Sequence, residues 1–148
     1  MGTLIDSTVF VDYERGRLDL PAWLSTQPAE NYALSVITLA ELYHGLYRAD
    51  TPARTTIRRQ HLADYRRKYP VLLITEPVAE IAGRLRAELQ EQGFTIGAHD
   101  LLIGATALHL DFSVATANVR EFRRISGLKV QQWQGRQPAP PNEGESPT

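Results

Sequence analysis

Cysteine is absent from this sequence. That excludes a disulfide framework, a thiolate nucleophile and every Cys-ligated zinc or iron–sulfur site, and it suits a reducing compartment. No apolar run approaches the roughly 18 residues that span a bilayer. The opening MGTLIDSTVF carries neither the basic flank nor the long apolar stretch of a signal peptide. No membrane association and a cytoplasmic location are therefore expected. A dominant charge is missing as well, since 16 basic and 17 acidic residues leave a net charge of −1. The balance hides one asymmetry. Seven basic residues (Arg48, Arg54, Arg58, Arg59, Arg66, Arg67, Lys68) stand between Arg48 and Pro70 against only Asp50 and Asp64, so this segment is strongly basic in an otherwise acidic chain. A GxxxxGKS/T phosphate loop and a GxGxxG fingerprint are lacking, as is a GxSxG elbow. His44, His61, His99 and His109 do not fall at HExxH spacing; they read as surface or packing residues, with His99 retained as a substrate contact beside Asp100.

What is present suits one globular domain: 148 residues, 43% hydrophobic and 22% charged. The last fourteen residues, GRQPAPPNEGESPT, hold four of the nine prolines and no large apolar side chain, so residues 135–148 are expected to form a disordered tail. Short apolar runs predict strands at Thr3–Asp6, Tyr32–Ser35, Val71–Ile74, Phe112–Ala115 and Leu128–Gln131. Helix-length patterns separate them, at Ser7–Glu14, Pro21–Thr26, Val36–Ala49, Pro52–Tyr69, Pro77–Gln92, Ala98–His109 and Val119–Ile125. On the third of these, Leu39, Leu42, Tyr43, Leu46 and Tyr47 form one apolar stripe; on the fourth, Ile57, Tyr65 and Tyr69 share a face. After Asp100 the sequence LLIGATALHL has no charge until Asp111, which predicts a helix buried nearly all round. Alternating strands and helices give an α/β sandwich around a parallel sheet.

Three carboxylates interrupt apolar surroundings. Asp6 ends the first strand, Glu41 breaks the run ITLAELY, and Asp100 opens the buried helix. Each has an ordinary reading. Asp6 can cap the next helix, Asp100 can serve a helix dipole, and Glu41 can pair with His44. Jointly they suggest more, because ligands in parallel α/β sheets bind beyond the carboxyl ends of the strands. Asp6 lies at such an end, and Glu41 and Asp100 are expected in the first turns of helices facing the same rim. Clustered, partly buried carboxylates repel one another until protons or a cation neutralise them. An oxygen-only donor set selects a hard cation, Mg²⁺ or Mn²⁺. Such an ion activates water against a phosphate ester. The basic segment, with Arg120, Arg123, Arg124 and Lys129, can hold the phosphates of a polyanion; its ordinary reading is a solvated helix face or a contact for an acidic protein.

LIDSTVFVD, SVITLAELYHG, AHDLLIGATAL and ATANVREFRRISGLKV resemble, in that order, the motif blocks of PIN-domain ribonucleases, most of all the VapC toxins of toxin–antitoxin pairs. The resemblance covers residues 3 to about 133 and gives the domain division 1–134 and 135–148. It implies a PIN-like three-layer α/β sandwich with a central parallel five-stranded sheet flanked by helices. It also implies Mg²⁺- or Mn²⁺-dependent endoribonuclease activity with a metal-activated water, a homodimer, and a cognate antitoxin as partner. Asp6 and Asp100 match the family's metal-binding aspartates, Glu41 its second acidic residue, and Ser7 and Thr116 polar positions at the rim. The family's fourth acidic position falls at Asn118, an amide that keeps oxygen coordination and loses a charge; a second metal is expected to bind more weakly for that reason. Ala117 stands where relatives often carry Arg.

Other classes remain in view. A phosphoryl-acceptor domain also puts an Asp after an early strand, but Asp6-Ser7-Thr8 lacks the second Asp a haloacid-dehalogenase-type phosphatase needs, and Lys129 lies within a strand. A catalytically weak RNA- or antitoxin-binding module on the same fold, and a PIN nuclease for RNA maturation, are the alternatives. Tyr43, Tyr47, Tyr65 and Tyr69 are either an aromatic dimer interface or core.

Overall fold

Strand β1 (Gly2–Ile5) is buried along its whole length, as an apolar segment must be when helices cover both faces of a parallel sheet. A computed structural model of the chain describes residues 2–27 and 31–132; the expected tail at 135–148 lies outside them. Around β1 stand β2 (Asn31–Ser35), β3 (Val71–Leu72), β4 (Ser113–Thr116) and β5 (Val130–Gln132). The order is β3-β2-β1-β4-β5, and every neighbouring pair is parallel. Thr3 is registered with Tyr32 on one side and Ser113 on the other. The chain thus winds outward in opposite directions from β1, and the crevice beyond β1 and β4 is the sheet's switch point.

Alternating side chains feed two cores. Leu4, Ala33 and Val114 pack with α5 (Glu76–Glu91), α6 (Ala98–Leu110) and the short α7 (Val119–Phe122). Ile5 and Leu34 face the opposite layer with α1 (Ser7–Glu14), α2 (Leu20–Thr26), α3 (Val36–Tyr47) and α4 (Pro52–Lys68). The result is the expected three-layer sandwich. Its helices begin where local chemistry directs. Ser35 Oγ accepts from Ile37 N at 3.1 Å to cap α3, and Asp19 accepts from Ala22 N at 3.2 Å to cap α2. The α6 segment buries Leu101 and Ile103 through Ala107, as its lack of charge demands.

Some expectations shift. β3 stops at Leu72 instead of Ile74 because its partner β2 turns into α3 after Ser35, leaving Leu73 nothing to pair with and 69% exposed. Tyr47 leaves the α3 stripe and is 74% exposed, since α4 covers only the Leu42–Leu46 side. On α4 the buried face is Leu62 and Tyr65; Ile57 lies open at a cavity mouth. α7 ends three residues earlier than expected, at Phe122.

Arg124 ties the α5–α7 layer together. Its guanidinium lies 4.9 Å from the centre of the Phe94 ring, and Nη1 donates to Thr95 O at 3.0 Å. It thereby straps the segment preceding α6 to the end of α7. Arg124→Ala is expected to cost about 1 kcal/mol, from one cation–π contact and one partly exposed hydrogen bond. A thermal melt reads this as a lowered Tm, and a Tm equal to the parent's would show that the strap carries no stability.

Candidate active site

Asp6 occupies the N-cap position of α1, yet its side chain makes no capping bond. It turns toward β4 and is nearly fully buried. Its Oδ2 accepts from Thr8 Oγ1 at 2.7 Å and Thr116 Oγ1 at 2.9 Å. Both hydroxyls are anchored in turn: Ala117 N donates to Thr8 Oγ1 at 3.0 Å, and Asn118 N to Thr116 Oγ1 at 2.8 Å. One carboxylate oxygen is thus fully engaged, while Oδ1 accepts no hydrogen bond among the described residues. Helix capping, the ordinary explanation of Asp6, does not account for this geometry.

Asp100 sits in the first turn of α6, where Asn118 Nδ2 donates to its Oδ2 at 3.0 Å. Burial pushes its carboxyl up to about 7, reinforced by a hydrogen bond with Glu121 and by the charges of Asp6, Glu121 and Glu41. Glu41 lies in the second turn of α3, one turn later than expected. Burial raises its pKa, with Asp6 adding to the rise; His99 and Ser7 partly offset it. Its Oε1 is buried without a hydrogen-bond partner among the described residues. Oε2 stands 3.8 Å from His99 Nδ1.

The structure therefore brings Asp6, Ser7, Glu41, Asp100, Thr116 and Asn118 to one rim, the switch point. Two further residues join them that the sequence reading passed over. Thr8 is one, and Glu121, one helical turn beyond Asn118, is the other. No three carboxylate or imidazole groups among the described residues converge closely enough to close around an ion as placed. Their chemistry nonetheless fits a hard cation: the carboxylate donors are all oxygen, two carboxyls are raised by burial and by neighbouring charges, and Glu41 Oε1 is buried without a partner among the described residues.

Two cavities flank Glu41. One, of about 340 Å³, runs between α1, α3 and α4 past Gly45 to Glu14, His61 and Tyr65. Glu14 is pushed up by burial, and His61, Tyr65 and Arg58 partly counter it. Gly45 leaves its side of α3 open, with nothing within 4 Å of where a Cβ would stand. The other cavity lies between α1, α3 and α6.

The basic segment divides. Arg54 pairs with Asp50 at 2.8 Å, Arg67 pairs with Asp64, and Arg58 donates to Gly45 O at the end of α3. Arg66 reaches Tyr43 Oη at 3.1 Å. Lys129 pairs with Asp111 at 3.5 Å, and Arg124 is the strap already described. Arg48, Arg59 and Lys68, together with Arg120 and Arg123, make no salt bridge among the described residues and are exposed. Within these two basic groups they are the cations left for a polyanion.

The PIN domain family matches this chain over residues 3–128. The chain belongs to that family. Among PIN domains it is similar to Ribonuclease VapC1 of Rickettsia felis, 31% identical over 130 residues that make up 88% of this chain and 95% of the relative. It is likewise similar to the tRNA(fMet)-specific endonuclease VapC of Shigella flexneri, 31% identical over 100 residues, 68% of this chain and 74% of the relative. Among solved structures, it superposes with a TM-score of 0.71 on VapBC-5 of Mycobacterium tuberculosis, a member of the VapBC family of toxin–antitoxin systems, at 27% identity over 90% of this chain and 98% of that one. This PIN domain is therefore of the VapC type. No helix among its described residues is long and apolar enough to cross a membrane.

Proposed function

We propose that this PIN domain is a Mg²⁺- or Mn²⁺-dependent endoribonuclease that acts as the toxin of a toxin–antitoxin pair. One observation supports the reading: Asp6, Glu41 and Asp100 all face the switch point, where burial and neighbouring carboxylates raise the pKa values of Glu41 and Asp100 and Glu41 Oε1 is buried without a hydrogen-bond partner among the described residues. The similarity to proteins named as VapC ribonucleases supports RNA as substrate, and the toxin–antitoxin structure supports an antitoxin partner.

Asp6 and Asp100 would hold the ion. When bound, it supplies Lewis acidity to a phosphate oxygen and lowers the pKa of water. The chain's own groups do the rest. Thr8 and Thr116 fix Asp6 in one orientation, and Asn118 fixes Asp100. Glu41, with its raised pKa and free Oε1, accepts the proton of the attacking water, because a base works best with a pKa nearer the working pH. The water oxygen bonds to phosphorus in line as the bond to the 3′-oxygen breaks; the departing 3′-oxygen takes a proton from solvent, leaving a 5′-phosphate and a 3′-hydroxyl. Arg120 and Arg123, next to Glu121, and Arg48 and Arg59 hold the flanking phosphates. A homodimer is supported by the exposed Tyr47, its ring stacked on Tyr43 at 6.5 Å, and by the exposed Leu73.

The test is cleavage of total RNA by purified, chelator-stripped protein with and without Mg²⁺ or Mn²⁺. Metal-dependent cleavage is expected. No cleavage with either ion, together with no rise in Tm on adding Mn²⁺, would leave a binding module on this fold as the better reading.

A further inference from the structure

The cavity between α1, α3 and α6 opens off the carboxylate rim, and of its walls the hydrolysis described above uses only Glu41. It has a volume of about 410 Å³, and Ser7, Val11, Ala40, Glu41, His44 and His99 are among its walls. We infer that this cleft is the subsite for the nucleoside next to the scissile phosphate, and that His44 and His99 determine which base it accepts. The inference rests on the ribonuclease reading and names where that site takes its specificity.

Continuity comes first. Ser7 and Glu41 belong both to the carboxylate rim and to the cleft wall. Whatever fills the cleft is therefore adjacent to the reacting group, and in RNA the group bonded to a phosphate is a nucleoside. Chemistry narrows the choice further. Among the described residues no Arg or Lys lines the cleft and a carboxylate does, so a second phosphate is repelled. Val11 and Ala40 provide apolar surface, which suits the face of a base. The two imidazoles provide ring faces and nitrogen donors or acceptors, which suit its edge. Sequence-selective recognition of single-stranded RNA uses this combination: stacking on aromatic or histidine rings plus hydrogen bonds to base edges. The volume lies within the range of small-ligand pockets, about 300–1,000 Å³.

The two histidines are also available. His44 and His99 are exposed and contribute to neither core. The 3.8 Å separation of His99 Nδ1 from Glu41 Oε2 is too long for a hydrogen bond. His44 lies three residues after Glu41, so both project from one side of α3.

The experiment uses the full chain with Mn²⁺ and a set of short RNA oligonucleotides that differ only in the nucleotides on either side of one cut. The parent is expected to rank these substrates by base. His44→Ala and His99→Ala should each lower kcat/KM on the preferred substrate by roughly 5- to 100-fold, the scale of one lost base stack, and flatten the ranking. The rise in Tm with Mn²⁺ should be unchanged, which separates the effect from damage to the ion site. His44→Phe, which keeps a ring and loses the nitrogens, should retain tight binding with an altered ranking. A parent that cuts RNA while both alanine variants keep its ranking, or lose rate equally on every sequence, would overturn the subsite alone. A parent that cuts no RNA would overturn the ribonuclease reading and the subsite with it. A variant that loses affinity for the antitoxin and not for RNA would assign the cleft to the protein partner instead.

Discussion

Asp6→Asn is expected to slow RNA cleavage by on the order of 10²- to 10³-fold, the scale of losing one group that stabilises transition-state charge, while leaving the protein folded. The argument lies in the two oxygens of the side chain. Oδ2 receives the Thr8 and Thr116 hydroxyls. An asparagine can keep both bonds by presenting its carbonyl oxygen there. Its amide nitrogen then occupies the place of Oδ1, the oxygen left free for a cation. Two hydrogens replace a lone pair, and one negative charge is gone, so the ion is repelled without any buried hydroxyl losing its acceptor. The measurement is single-turnover cleavage of one RNA oligonucleotide with Mg²⁺, alongside a melting curve. A rate within tenfold of the parent would remove Asp6 from the ion site. A collapsed Tm would mean that the threonine pair, and not the chemistry, is what Asp6 serves.

The residues that were legible in the sequence share a physical cause. Asp6, Glu41 and Asp100 each sit among apolar residues, where an ionised side chain is costly unless something compensates for it. That contrast is visible in one dimension. Glu121 shows no such contrast. It lies in REFRR, where an acid beside arginines on a short helix looks like ordinary surface. Its relation to Asp100 arises only when α7 folds back against the start of α6. The available signal was its spacing from Asn118, one helical turn. Thr8 was hidden for a similar reason, since its role depends on β4 lying beside β1. The strand sequence and the helix starts were readable because Ser35, Pro52 and the charge-free LLIGATALHL act locally. The short β3, the exposed Tyr47 and the open Ile57 depend on which neighbour covers which face, and no periodicity carries that. The two cavities beside Glu41 are likewise products of packing among α1, α3, α4 and α6.

The second large effect is a reversal in stability at Asp100. In the metal-free protein its carboxyl is pushed up to about 7 from an ordinary value of 3.8. Below about pH 4 the side chain is protonated both folded and unfolded, and it costs nothing. Between there and pH 7 the unfolded chain has given up the proton while the folded chain retains it. The unfolded state then binds fewer protons, so stability falls as pH rises. Above pH 7 the full penalty of an ionised Asp100, half-buried and facing Glu121, Asp6 and Glu41, is present. Asp100→Asn removes it. The metal-free variant should therefore be more stable than the parent at pH 8, by on the order of 1 kcal/mol once the shift is discounted for solvent screening of a half-buried group, or roughly 3–5 °C in Tm. At pH 4 the two should melt together. Adding Mn²⁺ inverts the order. An ion at a hundred times its Kd stabilises the parent by about 2.7 kcal/mol, and the asparagine variant, with one ligand charge gone, gains little. Melting curves of both proteins at pH 4 and pH 8, with chelator or with Mn²⁺, contain the whole test. If Asp100→Asn is no more stable than the parent at pH 8 without metal, neither burial nor the neighbouring carboxylates penalise an ionised Asp100 as its placement requires. If Mn²⁺ stabilises both equally, the ion is not held by Asp100. The expected crossing, a more stable variant without metal and a less stable one with it, means that the buried, mutually repelling carboxylates that cost stability in the empty protein are the groups that draw the cation in.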